Sequence, residues 1–173
     1  MRQADEPVRS GAPRPDALVR RMRRSDVEEV DEIYRLCLTQ CLTSHYSPAQ
    51  IDALLEGRTP LGYWLAAGRG EHFLVVEVAE AVAGFASWRD TELLSMFVAP
   101  IAQAHGLGAY LFEGCAREAS RLGVPIMQVG ATLNAASFFR LLGFRAVEQS
   151  YHEREGVRIP HILMVRPVER TVP

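Results

Sequence analysis

The stretch Met96-Phe97-Val98-Ala99-Pro100-Ile101-Ala102-Gln103-Ala104-His105-Gly106-Leu107-Gly108 constrains this chain more than any other. An apolar strand, Glu92 to Val98, is ended by Pro100, and a turn then opens a helix through two glycines. The first amides of a helix have no internal acceptor, and together with the helix dipole they form an anion site. Glycine at 106 and 108 leaves no Cβ in the way of a phosphate. A phosphate-bearing ligand fits this turn; an ordinary glycine-containing helix start explains the two glycines as well. A dinucleotide fingerprint is excluded because Leu111 stands where the third glycine belongs. A P-loop is excluded because Gly-Lys-Ser/Thr is missing.

The surrounding sequence supplies the elements. A strand is expected from Leu18 to Met22, followed by a capping box at Ser25-Asp26-Val27-Glu28. Val27, Val30, Ile33, Cys37 and Cys41 then recur at helical spacing. Ser47-Pro48-Ala49-Gln50 is a second capping box, with proline at the first helical position. Phe73 to Val78 and Val82 to Trp88 read as a hairpin turning at Ala79-Glu80-Ala81. The glycine turn leads into a helix from Gly106 to Leu122, stopped by Gly123. Pro125 to Val129 reads as a short buried strand, and Asn134 as the cap of a helix ending at Leu142. Arg145 to Tyr151 and Arg158 to Val165 complete the chain as antiparallel strands. The order β, α, α, β, β, β, α, β, α, β, β fits an α/β (α+β) fold with a mixed sheet and helices on both faces.

At 173 residues this is one domain, 17–173, behind a polar, proline-containing tail, 1–16, that is too poor in apolar residues to pack. A net charge of −2 offers no field for nucleic acid or an anionic membrane. The basic run Arg20, Arg21, Arg23 and Arg24 reads as a solvated edge. Three cysteines, Cys37, Cys41 and Cys115, with no close CxxC pair, argue against a disulfide framework or zinc, and no metal is expected. No secretory or membrane-spanning segment is visible, so a cytoplasmic protein is expected.

Two motifs carry a family resemblance. Gln103-Ala104-His105-Gly106-Leu107-Gly108 follows Val98-Ala99-Pro100, and Asn134-Ala135-Ala136-Ser137-Phe138-Phe139-Arg140-Leu141-Leu142-Gly143-Phe144 follows downstream. Both resemble core patterns of the GNAT N-acetyltransferase superfamily, from about Leu18 to Arg166, and the His45-Tyr46-Ser47-Pro48 stretch looks like one group of bacterial single-domain members. The resemblance implies a mostly antiparallel central sheet splayed between its fourth and fifth strands. It implies acetyl-CoA as co-substrate and transfer of an acetyl or longer acyl group to a primary amine of a small molecule or peptide, by a monomer or homodimer. An acyl-CoA-binding sensor without turnover is the alternative.

Residue by residue, the resemblance assigns the coenzyme to Gln103, Ala104, His105, Gly106, Leu107, Gly108 and Ala109 around the pyrophosphate, and to Phe97, Val98, Asn134 and Phe138 along the arm. Glu92 matches the glutamate that serves some members as general base, and a solvated carboxylate at a strand start is the plain alternative. The family's usual acid, a tyrosine, is Phe139 here, so Tyr151, His152, Tyr46 or His45 must replace it if an acid is needed. Tyr151 is the first choice. His45, Tyr46 and Trp88 are candidates for the acceptor pocket, although packing suits Tyr46 and a core position suits Trp88. His72 and His161 are expected to have no chemical role.

Overall fold

The computed structural model describes residues 16–167. The tail expected over residues 1–16 lies outside these residues except for Asp16. Seven strands form one sheet: β1 (Ala17–Arg21), β2 (His72–Val78), β3 (Ala81–Arg89), β4 (Glu92–Val98), β5 (Gln128–Ala131), β6 (Arg145–Arg154) and β7 (Val157–Val165). Their spatial order is β1-β2-β3-β4-β5-β7-β6. Neighbours are antiparallel except β4 and β5. Five α-helices cover the sheet: α1 (Val27–Cys41), α2 (Pro48–Leu55), α3 (Pro60–Gly68), α4 (Leu107–Arg121) and α5 (Ala136–Leu141).

The central strands are buried on both faces, which is why they read as continuous apolar runs. Along β2, Phe73 and Val75 enter one core with α1, α2 and α3, while Leu74 and Val76 enter the other with α4 and α5. On β3, Phe85 faces the first core, and Ala86 and Trp88 the second. The β2–β3 turn is a two-residue link in which Ala79 and Glu80 both take positive φ, 49° and 67°. Such a turn matches the right-handed twist of the strands it joins.

Two features of the sheet prepare the site. First, β4 carries a bulge: Trp88 pairs with Leu93 and Ser87 with Ser95, so Leu94 is the extra residue. Second, β4 and β5 pair only at Glu92↔Gln128 and Leu93↔Val129, and from there the strands diverge. This is the expected splay between the fourth and fifth strands.

Several local expectations are corrected. Ser25 does not cap α1; it is exposed in a 3-10 turn, Arg24–Asp26. Asp26 takes over that end, accepting the Arg23 amide at 2.6 Å and both terminal guanidinium nitrogens of Arg20, Nη1 and Nη2, at 2.8 and 3.0 Å. Arg20 also reaches Glu77 at 2.7 Å, so it is a shielded ion-pair centre rather than a solvated edge. Helix α3 was not anticipated, although Thr59 caps it by accepting the Gly62 amide at 3.2 Å. Strand β5 lies three residues later than its apolar run suggested, because its register is set by β4 and β7. Asn134 does not cap α5, which starts after Ala135.

Asp26 makes a stability prediction. Burial alone would raise its carboxyl, but hydrogen bonds from Arg20 and the Arg23 amide outweigh this and hold it below the ordinary carboxylate range. The folded state thus binds fewer protons than the unfolded chain, and the stabilisation is complete above the ordinary value of about 4 and lost as pH falls below it. Asp26→Asn should therefore be less stable than the parent at pH 7, and the gap should shrink toward pH 3. Urea unfolding at both pH values reads this.

Candidate active site

The glycine turn folds as a local consequence of its residues. Ala104 and Gly106 both have positive φ, 65° and 72°. Gly106 is the N-cap of α4, and no side chain satisfies the first turn. The Tyr110 amide donates to the Gly106 carbonyl at 3.1 Å, so the amides of Leu107, Gly108 and Ala109 come before the first intrahelical bond. At Gly108 the packing adds a reason of its own. A Cβ there would stand 3.1 Å from the Phe138 ring, so glycine lets α5 press against α4.

The Gln103 side chain turns back and donates to the Val98 carbonyl at 2.9 Å, which the Cys37 thiol also reaches at 3.2 Å. These contacts fix the turn against the end of β4. The Ala99 amide donates to Ala83 on β3, so by strand alternation Val98 and Met96 turn their amides toward the splay. A groove of about 450 Å³ runs from this open edge to the first turn of α4. Phe97, Val98, Gln103, Ala104, Gly106, Leu107, Gly108, Ala109, Asn134 and Phe138, all assigned to the coenzyme from sequence, line it. His105 sits in the same turn with its side chain exposed and outside the lining. Asn134, released from capping, stands exposed at the groove's far wall.

Cys37 and Cys41 also line the groove. Burial pushes the thiols of Cys37 and Cys115 up to about 12, which keeps them protonated and unreactive. Cys41 is only half-buried. A thiol reagent should therefore label Cys41 first, and a ligand filling the groove should slow that labelling. Peptide mapping by mass spectrometry, with and without acetyl-CoA, checks both statements.

A second cavity, about 260 Å³, lies on the α1–α3 face of the sheet. Glu92, Ser95, Gly130, His152, Arg154, Arg58 and Glu71 are among its lining residues. Both cavities border β4, with Ser95 lining one and Met96 the other. Glu92 is half-buried at the point where β4 and β5 still pair. Behind the lining, His161 stacks on His152 with ring centroids 3.9 Å apart and an angle of 13°. Both imidazoles cover Gly130, where a Cβ would stand 3.1 Å from His161. Burial, and secondarily the neighbouring His152, lowers the pKa of His161, while the Glu92 charge opposes this. The Nδ1 of His161 is buried with no hydrogen-bond partner among the described residues. Sequence reasoning gave His161 no role, and only the β6–β7 register could have revealed the pair.

The remaining candidates lie elsewhere. Tyr151 is exposed on the opposite face of the sheet, under the Arg158 guanidinium at 4.2 Å, and its hydroxyl accepts from Gln149. The structure therefore does not bring Glu92 and Tyr151 together. Trp88 is 2% exposed in the α4-side core and stacks on His72. Tyr46 is buried; its hydroxyl donates to the Pro160 carbonyl at 2.8 Å and accepts the Leu133 amide at 3.0 Å, tying β7 to the loop after β5. His45 is exposed beside Ser44. Phe139 is buried against Phe138 and Phe144. A larger cavity of about 650 Å³ between α4 and α5 lies away from this chemistry.

The fold matches solved structures of this architecture. A GCN5-related N-acetyltransferase from Rhodopseudomonas palustris is 22% identical, with 87% of this chain and 95% of that chain covered and a TM-score of 0.80. PaiA N-acetyltransferase from Thermoplasma acidophilum, solved with coenzyme A, is 16% identical over 88% and 99%, with a TM-score of 0.69. YncA from Salmonella typhimurium, solved with acetyl-CoA, is 24% identical over 91% and 98%, with a TM-score of 0.64. A search of curated protein sequences gives no match. Among the described residues no helix is long and apolar enough to cross a membrane, and no three His, Cys, Asp or Glu side chains gather as a metal site would need. The family model of the acetyltransferase (GNAT) domain matches residues 44–165, both motifs included, and the chain belongs to the GNAT acetyltransferase family.

Proposed function

We propose that this chain transfers an acetyl group from acetyl-CoA to a primary amine by direct attack in a ternary complex. The observation that carries the reading is that two cavities border β4. One is suited to the coenzyme, and the other holds a carboxylate within reach of an incoming amine. The residues fit the coenzyme on three counts: a left-handed Gly106, first-turn amides without side-chain caps, and an open β4 edge. When bound, acetyl-CoA supplies an activated acyl thioester.

The protein's own groups do the rest. Amides of the first α4 turn hold the pyrophosphate, and those of Met96 and Val98 hold the arm and orient the acyl oxygen. An amine is mostly protonated near neutrality, so Glu92 takes a proton before attack, directly or through water. His152 and His161 flank the same cavity and shape the field that Glu92 feels. Phe139 has no proton to give, and a leaving thiol with a pKa of about 8.5 needs no dedicated acid.

The test is release of free thiol from acetyl-CoA in the presence of a panel of primary amines. Amine-dependent release supports the transferase. Binding of acetyl-CoA without release from any amine favours the sensor alternative, which Phe139 in its aromatic cluster would suit.

A further inference from the structure

The cavity next to Glu92 has an uneven distribution of charge. Arg58, from the loop between α2 and α3, and Arg154, near the end of β6, both line it and are both half-buried. Neither has a carboxylate within ion-pair distance among the described residues. The contrast with Arg20 is direct, since that similarly shielded guanidinium has two carboxylates against it. Arg58 is also held in place: its guanidinium lies 4.9 Å from the centroid of the Tyr34 ring, and its backbone carbonyl accepts from Arg35 at 2.8 Å. Arg154 faces the same cavity from β6. Glu71, the other acid of the lining, leans toward Arg89 at 3.9 Å. That leaves Glu92 as the carboxylate at the splay end, with the stacked histidines beside it.

Partly desolvated guanidiniums without counter-charge are costly, and an anionic ligand relieves the cost. Their planar forks match a carboxylate in geometry. The cavity, about 260 Å³, is below the usual range for drug-sized ligands, so the occupant is small. Resting on the acyltransferase reading, we infer that the acceptor is a small amine bearing its own carboxylate, of the amino-acid class. Arg58 and Arg154 take the carboxylate, and the amine points past Glu92 to the splay. The arrangement selects against polyamines, whose second cation would meet the two arginines.

The test compares matched pairs: amino acids of increasing amine-to-carboxylate separation, their carboxamides, and diamines of equal length. Binding to the full chain saturated with coenzyme A is read by calorimetry, and kcat/KM by thiol release from acetyl-CoA. The acids should exceed their carboxamides by about tenfold or more in both readouts, because partly desolvated, unpaired charges disfavour the neutral analogue. Arg154→Gln should raise KM for the acids and reduce the acid-to-amide preference to within about threefold, with Arg154→Lys recovering part of it. Arg58→Gln provides an independent second variant, and the parent panel needs neither. Equal or better binding and turnover of carboxamides or diamines would overturn the inference and leave the acyltransferase standing. Acetyl-CoA binding with no acid bound at millimolar concentration would overturn it too. Failure of acetyl-CoA itself to bind would instead remove the acyltransferase reading.

Discussion

A Gly106→Val chain should lose measurable acetyl-CoA binding. Gly106 has φ of 72°, a region that costs a residue with a Cβ about 1–2 kcal/mol and a β-branched one more. The chain can respond by distorting the turn, which turns away the amides of Leu107, Gly108 and Ala109. It can also hold the turn and place an isopropyl group in the proposed pyrophosphate site. Either way the anion site is damaged, and affinity should fall by about two orders of magnitude or more, equivalent to about 2.7 kcal/mol. Gly156 offers the control. It has φ of 73° in the β6–β7 turn, with nothing within 4 Å of an added Cβ. Gly156→Val carries the same backbone strain outside the groove lining, so it should lower stability and leave acetyl-CoA affinity at the parent value. Calorimetric titration of both variants, beside their thermal unfolding, separates strain from site. Equal affinity losses in the two would assign the effect to the fold as a whole.

The second large effect is expected at Glu92. Removing its charge with Glu92→Gln keeps the shape of the side chain and takes away the proton acceptor. General-base catalysis is typically worth 10²–10⁴-fold, so kcat with a good amine should fall by about that factor. Glu92 does not line the coenzyme groove, and acetyl-CoA affinity should therefore be unchanged. The pH profile gives a second readout. A variant without the base should depend more steeply on pH and recover activity as the amine deprotonates unaided. A Glu92→Gln chain with parental kcat across the pH range would make the residue a plain strand-start carboxylate.

The glycine turn was legible in the sequence because it is made locally. Positive φ at Gly106 and the strand that stops before Pro100 belong to one stretch of chain, and so do the first amides of α4. The Ser47 capping box was legible for the same reason: its two hydrogen bonds, 3.2 and 2.9 Å, join residues three apart. The identical logic failed at Ser25, where Arg20 and the Arg23 amide recruit Asp26 into an ion-pair network that also includes Glu77 on β2. Helix α3 is masked in the sequence because Gly62 and Gly68 dilute its pattern, even though Thr59-Pro60 opens it.

The cavity beside Glu92 is built the other way. Its lining comes from positions as far apart as Arg58, Glu92, Gly130 and Arg154. No local period reports such a gathering. His161 illustrates the point: its place against His152 follows from β6–β7 pairing, in which Ser150 faces His161 and His152 faces Ile159. Tyr151 shows the converse, since one step along a strand moves a side chain to the other face and away from Glu92. The contact of Gly108 with the Phe138 ring is likewise hidden in the sequence, because α5 reaches α4 only in the folded chain.

The measurement that bears most directly on this account is thermal unfolding of the full chain with and without acetyl-CoA. A ligand that binds only the folded state must raise the midpoint, and at a hundredfold excess over Kd it adds about 2.7 kcal/mol. The account predicts a clear rise with acetyl-CoA in the parent chain and its loss in Gly106→Val. An unchanged midpoint in the parent at saturating acetyl-CoA would contradict it.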